Sequence, residues 1–172
     1  KYIREKRKQG LTNFGIMHVI IAAYVRAIAS YPGINRFIGG QKIYSRDYVE
    51  VNMSIKKEMS TSAPDTVIKV RFSPSDTAED IYRKMNDKIE EVKNTPLDSS
   101  FDGLARAINY IPGILLKFVV FMLKMLDYFG LLPRALTSLS PFHGSMFFTS
   151  MGSLGIPPIY HHLYNFGNVP VF

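Results

Sequence analysis

The 172-residue sequence contains no cysteine. This absence excludes disulfide bonds, thiolate metal sites and cysteine nucleophiles among these residues, and it agrees with a reducing compartment. A cleavable secretory signal is also missing, because the basic segment 1–8 does not lead into an apolar core. We therefore expect a cytoplasmic protein.

Long apolar runs without charges are missing too. The most apolar interval, residues 114–132, is interrupted by two lysines and an aspartate, and Pro112-Gly113 and Gly130 divide this part of the chain into short helices. A membrane-spanning helix needs about 20 mostly apolar residues with few or no charges. We interpret the interval 101–139 as buried helices or an oligomer contact, and a helix lying in a membrane interface is the second interpretation.

Motifs for nucleotide and metal binding are absent as well. The spacing Gly152-Ser-Leu-Gly155 is too short for a dinucleotide fingerprint, and no P-loop, Gly-x-Ser-x-Gly elbow or His-Glu-x-x-His helix occurs. His143, His161 and His162 are close in sequence, but adjacent histidines on a strand point to opposite faces and no carboxylate has ligand spacing beside them. We therefore expect no metal.

Basic residues outnumber acidic ones, and the formal net charge is +7. Clustered lysine and arginine would favour a nucleic-acid partner. Five of the first eight residues are basic, but the other cations are scattered among carboxylates and no nucleic-acid motif accompanies them. We therefore expect no nucleic-acid partner, and the charge balance also suits a pocket for an anionic cofactor.

The composition itself is that of one globular domain with a sizeable core, at 47% hydrophobic and 20% charged residues. Apolar residues recur at helical spacing over 16–28, and Thr12 or Asn13 can cap this helix. Tyr31-Pro32-Gly33 ends it. His18 lies alone on this apolar helix and is expected to be a satisfied core residue.

Alternating apolar residues predict two strands, one within 41–57 and one over 66–72. The polar link 60–65 between them predicts a loop and hence an antiparallel pair. Asp76, with Glu79 three residues later, resembles a helix cap. The helix that follows carries one apolar stripe, which we expect to cover the sheet: Ile81, Met85, Ile89 and Val92.

The segment 144–155 combines a short apolar run, four hydroxyls and two closing glycines. The run 146–148 is typical of a buried strand, and the glycines permit a sharp exit from it. Ser145 stands at the start of this strand, where a buried hydroxyl must find a partner or offer its proton to a ligand. A hydroxyl bonded within its own turn is the ordinary outcome, and a catalytic hydroxyl is the alternative.

The pattern Gly-Ser-x-x-x-Thr-Ser-x-Gly-x-x-Gly at 144–155 resembles the Gly-Thr-Phe-Thr-Ile-Ser-Asn-Leu-Gly signature of the 2-oxoacid dehydrogenase acyltransferase (E2) catalytic domain, a relative of chloramphenicol acetyltransferase. Ser145 falls on the hydroxyl position of that family. Thr149 and Ser150 fall on its Ser-Asn pair, so the Asn is replaced. The segments 11–14 and 31–37 agree with the family in their order.

The resemblance implies an α/β two-layer sandwich in which helices cover a mixed sheet. It implies one acyltransferase-like domain over 1–172, incomplete at the C-terminus because the chain stops in mid-strand, with an apolar helical elaboration at about 101–139. It also implies a homotrimer. In the family, the interval that corresponds to this elaboration is shorter and more charged.

The resemblance further implies acyl transfer between coenzyme A and a thiol, hydroxyl or amine acceptor, with a lipoyl group on a lipoyl domain as one such acceptor. In the family, a histidine takes the acceptor proton and a hydroxyl binds the oxyanion; Ser145 would be that hydroxyl. The family's base motif, His-x-x-x-Asp-Gly, does not occur here, because Phe166 stands four residues after His162. The alternative is a catalytically degenerate relative that acts as an oligomerisation or membrane-peripheral binding module.

Overall fold

A computed structural model describes residues 1–56, 65–94, 110–149 and 166–170. Its helices and strands follow in chain order: α1 (Tyr2–Lys8), α2 (Ile16–Ser30), a 3-10 turn (Pro32–Asn35), β1 (Arg36–Gly39), β2 (Lys42–Ser45), β3 (Val49–Lys56), β4 (Asp65–Phe72), α3 (Ala78–Asn94), α4 (Gly113–Tyr128), α5 (Arg134–Leu139) and β5 (Met146–Phe148).

The central sheet of the described residues has three strands in the order β4-β3-β5. β3 pairs with β4 in the antiparallel sense, with Val51 opposite Val70, and with β5 in the parallel sense, with Val51 opposite Met146. A separate hairpin joins β1 and β2. The protein is therefore a mixed α/β structure, and the predicted antiparallel pair and the predicted strand at 146–148 are confirmed. The chloramphenicol acetyltransferase type of sandwich stays a prediction.

The core lies where α2 and α3 cover the sheet. α3 buries Ile81 and Met85 and packs Ile89 and Val92 against the same cluster, so its predicted apolar stripe is confirmed. The remaining core side chains come from the other covering helix and the three strands: Ile21, Val25, Ile28, Val49, Val51, Met53, Ile68, Val70, Phe72, Met146 and Phe148. Strict alternation on β3 and β4 explains why one face of each strand is apolar.

Two helix starts differ from the prediction. α2 begins after Gly15, whose N–H donates to Nδ1 of His18 at 3.1 Å, so neither Thr12 nor Asn13 is its cap. His18 itself is buried, burial lowers its pKa, and its Nε2 has no hydrogen-bond partner among the described residues. The prediction of a buried His18 is confirmed, but only one of its two ring nitrogens has a hydrogen-bond partner among the described residues.

The cap of α3 lies one residue later than predicted. Thr77 accepts the N–H of Asp80 at 3.3 Å, and the Asp80 carboxylate accepts the N–H of Thr77 at 3.1 Å. This reciprocal arrangement is a capping box with an aspartate in place of the usual glutamate. Asp76 instead accepts the N–H of Ser73 and pairs with Lys84 at 2.6 Å.

The strand predicted within 41–57 is divided into β2 and β3. Asn35 causes the break, because its carbonyl accepts the N–H of Arg46 at 3.3 Å and its Nδ2 donates to the carbonyl of Tyr48 at 2.8 Å. The residues between the two strands are thus bonded to the 3-10 turn and do not pair with a neighbouring strand. β2 remains with the hairpin, and β3 enters the central sheet.

α4 begins after Pro112 and ends before Gly130, so the predicted division of the apolar interval is confirmed. None of its residues is buried, and Phe118 and Phe121 are 59% and 60% exposed. The prediction that this interval forms buried helices is therefore wrong for α4 within one chain, and the predicted oligomer contact stays a prediction. None of the described helices is long and apolar enough to cross a membrane.

Candidate functional site

A cavity of about 1120 Å³ lies between the β1–β2 hairpin, the C-terminal end of α4 and the helix α5. The start of β3 and the end of β4 contribute to its wall through Glu50 and Arg71, and the segments 143–144 and 166–168 close another side. The hairpin approaches α4 closely, since a Cβ on Gly40 (φ +59°) would lie 2.8 Å from the carbonyl oxygen of Tyr128. Gly40 therefore permits the contact that joins these two walls.

The loop between α5 and β5, residues 140–145, crosses the start of β3 and is held there by one buried and one partly buried side chain. Asn52, which is fully buried on β3, donates from Nδ2 to the carbonyls of Pro141 at 2.9 Å and His143 at 3.2 Å. Lys69 on β4 donates to the carbonyls of Thr137 and His143, each at 2.8 Å. We call this segment the 140–145 loop. Its backbone is fixed from beneath by the sheet.

Ser145 ends this loop and is 3% exposed. Its hydroxyl accepts the N–H of Glu50 at 3.0 Å, its own N–H donates to the Glu50 carbonyl at 2.8 Å, and its carbonyl accepts from the Tyr24 hydroxyl at 2.9 Å. Ser145 is not among the described residues that line the cavity. The hydroxyl still has a proton to donate, so the oxyanion role of Ser145 stays a prediction.

His143 lies on the cavity wall with both ring nitrogens engaged. Its Nε2 is 2.8 Å from Oδ1 of Asp127 on α4, and its Nδ1 is 2.9 Å from Oγ of Ser140. A carboxylate accepts hydrogen bonds only, so the Nε2 that faces it carries a proton. In the neutral ring Nδ1 is then an acceptor, and the Ser140 hydroxyl donates to it.

Asp127 is fixed by a second partner. Its Oδ2 accepts the N–H of Gly167 at 2.9 Å, and the Phe166 ring lies edge-on to the His143 ring with centroids 5.3 Å apart. Gly167 has φ +81°, and a Cβ there would lie 2.1 Å from the carbonyl oxygen of Phe142. Only glycine fits this approach, which brings the segment 166–168 onto the histidine.

Glu50 is the centre of a second, cationic cluster on the cavity wall. Its carboxylate is 2.8 Å from Nη2 of Arg71 and 3.8 Å from Nζ of Lys69. Burial lowers the pKa of Lys69 and outweighs the opposite effect of the nearby Glu50. Burial also lowers the pKa of Arg46, whose guanidinium lies over the Phe37 ring at 4.1 Å. Arginine keeps its charge in proteins, so this wall stays cationic.

Two further cations on the wall are not neutralised. Lys124 on α4 and Arg134 at the start of α5 are exposed, line the cavity and have no salt-bridge partner in the part of the chain that the structure describes. Asp127 and Glu50 are already engaged by His143 and Arg71. The cavity therefore offers an anionic ligand two free positive charges beside a histidine.

Sequence reasoning missed most of this site. In the sequence, Asp127 is a carboxylate inside an apolar helix, and His143 is considered only as a metal ligand. Nothing in the sequence indicates that the two side chains meet. Their 16-residue separation across α5 has no signature in the sequence. His161 and His162, and the Ser150–Gly155 part of the signature, lie outside the described residues. Among the described residues, no group of three or more His, Asp or Glu is placed to hold a metal ion.

The likeness of this chain to known proteins is found in structure rather than in sequence. No family model matches it, and no curated protein matches it. A similar solved structure is that of a probable dihydrolipoamide acetyltransferase from Listeria monocytogenes 4b F2365, with 14% identity and a TM-score of 0.49. The match covers 86% of this chain and 44% of that chain, so this chain spans less than half the length of the protein it matches.

Proposed function

We propose that this protein binds acyl-coenzyme A in the cavity and transfers the acyl group to a thiol, hydroxyl or amine acceptor. The observation that carries the proposal is the pair of uncompensated cations, Lys124 and Arg134, on the same wall as the His143–Asp127 pair. The cations suit the phosphates of the coenzyme, because charge-assisted hydrogen bonds to phosphate are the stronger ones. The resemblance at 144–155 supports the same class of reaction.

The size and lining of the cavity also suit this ligand. At about 1120 Å³ the cavity exceeds the usual range for drug-sized ligands, roughly 300–1,000 Å³, as a long coenzyme requires. Aromatic side chains from three parts of the wall offer flat apolar surface for the uncharged parts of the coenzyme and the acyl chain: Phe37, Tyr44, Tyr48, Tyr128 and Phe166.

The chemistry requires a base that takes the acceptor proton while the acceptor attacks the thioester carbonyl. His143 is the described histidine that lines the cavity; the acceptor replaces the Ser140 hydroxyl at its Nδ1, while Asp127 fixes the ring and stabilises the imidazolium that forms. The C–S bond of the thioester then breaks, and the proton passes to the sulfur of coenzyme A. Ser145 as the oxyanion donor remains part of this proposal through the resemblance alone.

Calorimetric titration of the intact protein with acetyl-coenzyme A tests the binding step. Lys124→Gln and Arg134→Gln should each raise Kd about three- to tenfold, because each removes one phosphate contact, and added salt should weaken binding of the wild type. Lys117→Gln is the matched control, since Lys117 is an exposed lysine on the same helix that does not line the cavity.

Release of the coenzyme A thiol in the presence of dihydrolipoamide, followed colorimetrically, tests the transfer step. His143→Gln should abolish this release while Kd stays within a few-fold. Equal effects of the Lys117 and Lys124 variants would show that the cavity is not the binding site. Binding without turnover in the wild type would identify the protein as a degenerate relative that has kept its ligand.

A further inference from the structure

We propose that Ser140, His143 and Asp127 form a serine-nucleophile site that accepts acyl groups from activated esters and thioesters. This site shares the His143–Asp127 pair and the acyl class of substrate with the proposed function, but it needs neither coenzyme A nor Lys124 and Arg134. It rests on three contacts: Ser140 Oγ to His143 Nδ1 at 2.9 Å, His143 Nε2 to Asp127 Oδ1 at 2.8 Å, and Asp127 Oδ2 to the Gly167 N–H at 2.9 Å.

The direction of the hydrogen bonds is the first argument. Asp127 accepts a hydrogen bond from the Nε2–H, so the neutral ring presents a lone pair on Nδ1 to the Ser140 hydroxyl. The Ser140 oxygen is also 3.2 Å from the N–H of Phe142, which donates to it. This orients the hydroxyl so that its proton points at the base. An acid, a histidine and a serine in this chain of hydrogen bonds are the parts of a serine triad, which is recognised by geometry and not by sequence order.

The rigidity of the 140–145 loop is the second argument. Asn52 and Lys69 hold the carbonyl of His143 from beneath, and Ser145 fastens the end of the loop to both the N–H and the carbonyl of Glu50. Nucleophilic sites need such preorganisation, because small misplacement of the reacting groups costs rate. A loop that only connected α5 to β5 would not require a buried asparagine and a partly buried lysine directed at its carbonyls.

Access to the cavity is the third argument. Ser140 is half-buried and is not itself among the described residues that line the cavity, but Thr137 and Ser138 before it and His143 and Gly144 after it do line the cavity. The aromatic wall beside them offers apolar surface to the acyl group. In the proposed reaction, an ester or thioester in the cavity reaches the serine beside His143, which lines the cavity and holds the serine hydroxyl.

The reaction balances as two transfers. The Ser140 oxygen bonds to the carbonyl carbon while its proton passes to Nδ1 of His143; the bond to the leaving alcohol or thiol then breaks, and the leaving group takes that proton. Water next bonds to the carbonyl carbon of the acyl-serine and gives its proton to His143. The bond to the Ser140 oxygen breaks, the oxygen regains the proton, and a carboxylic acid is released.

Labelling with a fluorophosphonate, followed by peptide mass mapping, tests the site in the intact protein. The phosphorus should bond to the Ser140 oxygen with loss of fluoride, and hydrolysis of p-nitrophenyl acetate should fall at least about 100-fold in Ser140→Ala and in Asp127→Asn. Ser75→Ala is the matched control, because Ser75 is an exposed serine that does not line the cavity and whose Oγ lies 2.9 Å from that of Ser73. Its labelling and hydrolysis should equal those of the wild type.

A single introduced thiol provides a second readout that does not depend on the alanine variant folding well. The chain has no cysteine, so Ser140→Cys and Ser138→Cys each carry one thiol. The thiol beside His143 should react with iodoacetamide at least about tenfold faster at neutral pH, because the histidine stabilises its thiolate, and His143→Gln should remove the difference.

Three results would overturn the proposal: a label on any residue other than Ser140, hydrolysis unchanged in Ser140→Ala, or equal reactivity of the two introduced thiols. Retained acetyl-coenzyme A binding alongside any of these results would leave the proposed function standing. Labelling at Ser140 without binding of acetyl-coenzyme A would support the serine site and contradict the proposed function.

Discussion

The sheet with its two covering helices and the helix α4 use similar apolar side chains and bury them very differently. Ile21, Val49 and Ile81 are 0% exposed in the first region. α4 has no buried residue, and its first-turn Ile114 is 88% exposed. Apolar content alone therefore does not predict burial within one chain.

The difference follows from how the apolar residues are distributed. α3 carries its apolar residues on one stripe with charges opposite, and this stripe fits the sheet. α4 is apolar on most of its surface, so no single neighbour can cover it, and Lys117 and Lys124 interrupt its exposed side. A helix that is apolar all round is normally buried. Within the described residues, α2, α3 and the sheet do not cover α4, and the oligomer contact that would cover it stays a prediction.

The largest expected effect is the difference in unfolding free energy between substitutions in the two regions. Ile81→Ala should lower the free energy of unfolding by about 2–5 kcal/mol, because it leaves a cavity in the core. Phe118→Ala in α4 removes a larger side chain and should change it by no more than about 0.5 kcal/mol, because that side chain is mostly exposed. Urea denaturation of a monomeric preparation measures both. Comparable losses in the two variants would show that α4 is packed in solution.

A smaller effect is expected at Ser145, which joins the 140–145 loop to β3. Ser145→Ala should cost about 1–3 kcal/mol of unfolding free energy, because the buried N–H of Glu50 loses its acceptor. Denaturation and acyl-transfer kinetics on the same variant decide its role. An additional fall in turnover of roughly 10²- to 10³-fold, with an unchanged Michaelis constant, would support the oxyanion role. Unchanged stability would contradict the hydrogen bond from the Glu50 N–H to the Ser145 hydroxyl.

The core region could be predicted from the sequence because its periodicity is local. The alternation through Val49, Val51 and Met53 predicts a strand with one buried face, and the stripe from Ile81 predicts the helix that covers it. The predicted cap positions were wrong for two reasons. At α2 the N-cap is Gly15, whose N–H donates to the ring of His18. At α3 the pair Thr77 and Asp80 forms the cap in place of the similar pair one residue earlier.

The candidate site could not be predicted in the same way. Asp127 and His143 meet through the turn at Gly130 and through α5, and Gly167 reaches them from 40 residues beyond Asp127. No spacing rule connects such residues, because their contact depends on how the helices pack. The resemblance at 144–155 directed attention to Ser145, whereas the histidine on the cavity wall lies two residues before it.

The smallest effect on stability, and the clearest on assembly, should come from the exposed side of α4. The resemblance implies a homotrimer, and exposed apolar surface of this kind marks contacts between proteins. Phe118→Ser combined with Phe121→Ser should therefore convert a trimer at micromolar concentration into a monomer, as sedimentation measures, while the unfolding free energy of a single chain changes by less than about 0.5 kcal/mol. Ile16→Ser is the matched control, because Ile16 is 64% exposed on α2 and its substitution should leave the assembly intact. A monomeric wild type would contradict the trimer. If that monomer also bound anionic lipid vesicles through the same two phenylalanines, α4 would instead lie in a membrane interface, where Lys117 and Lys124 would face the headgroups.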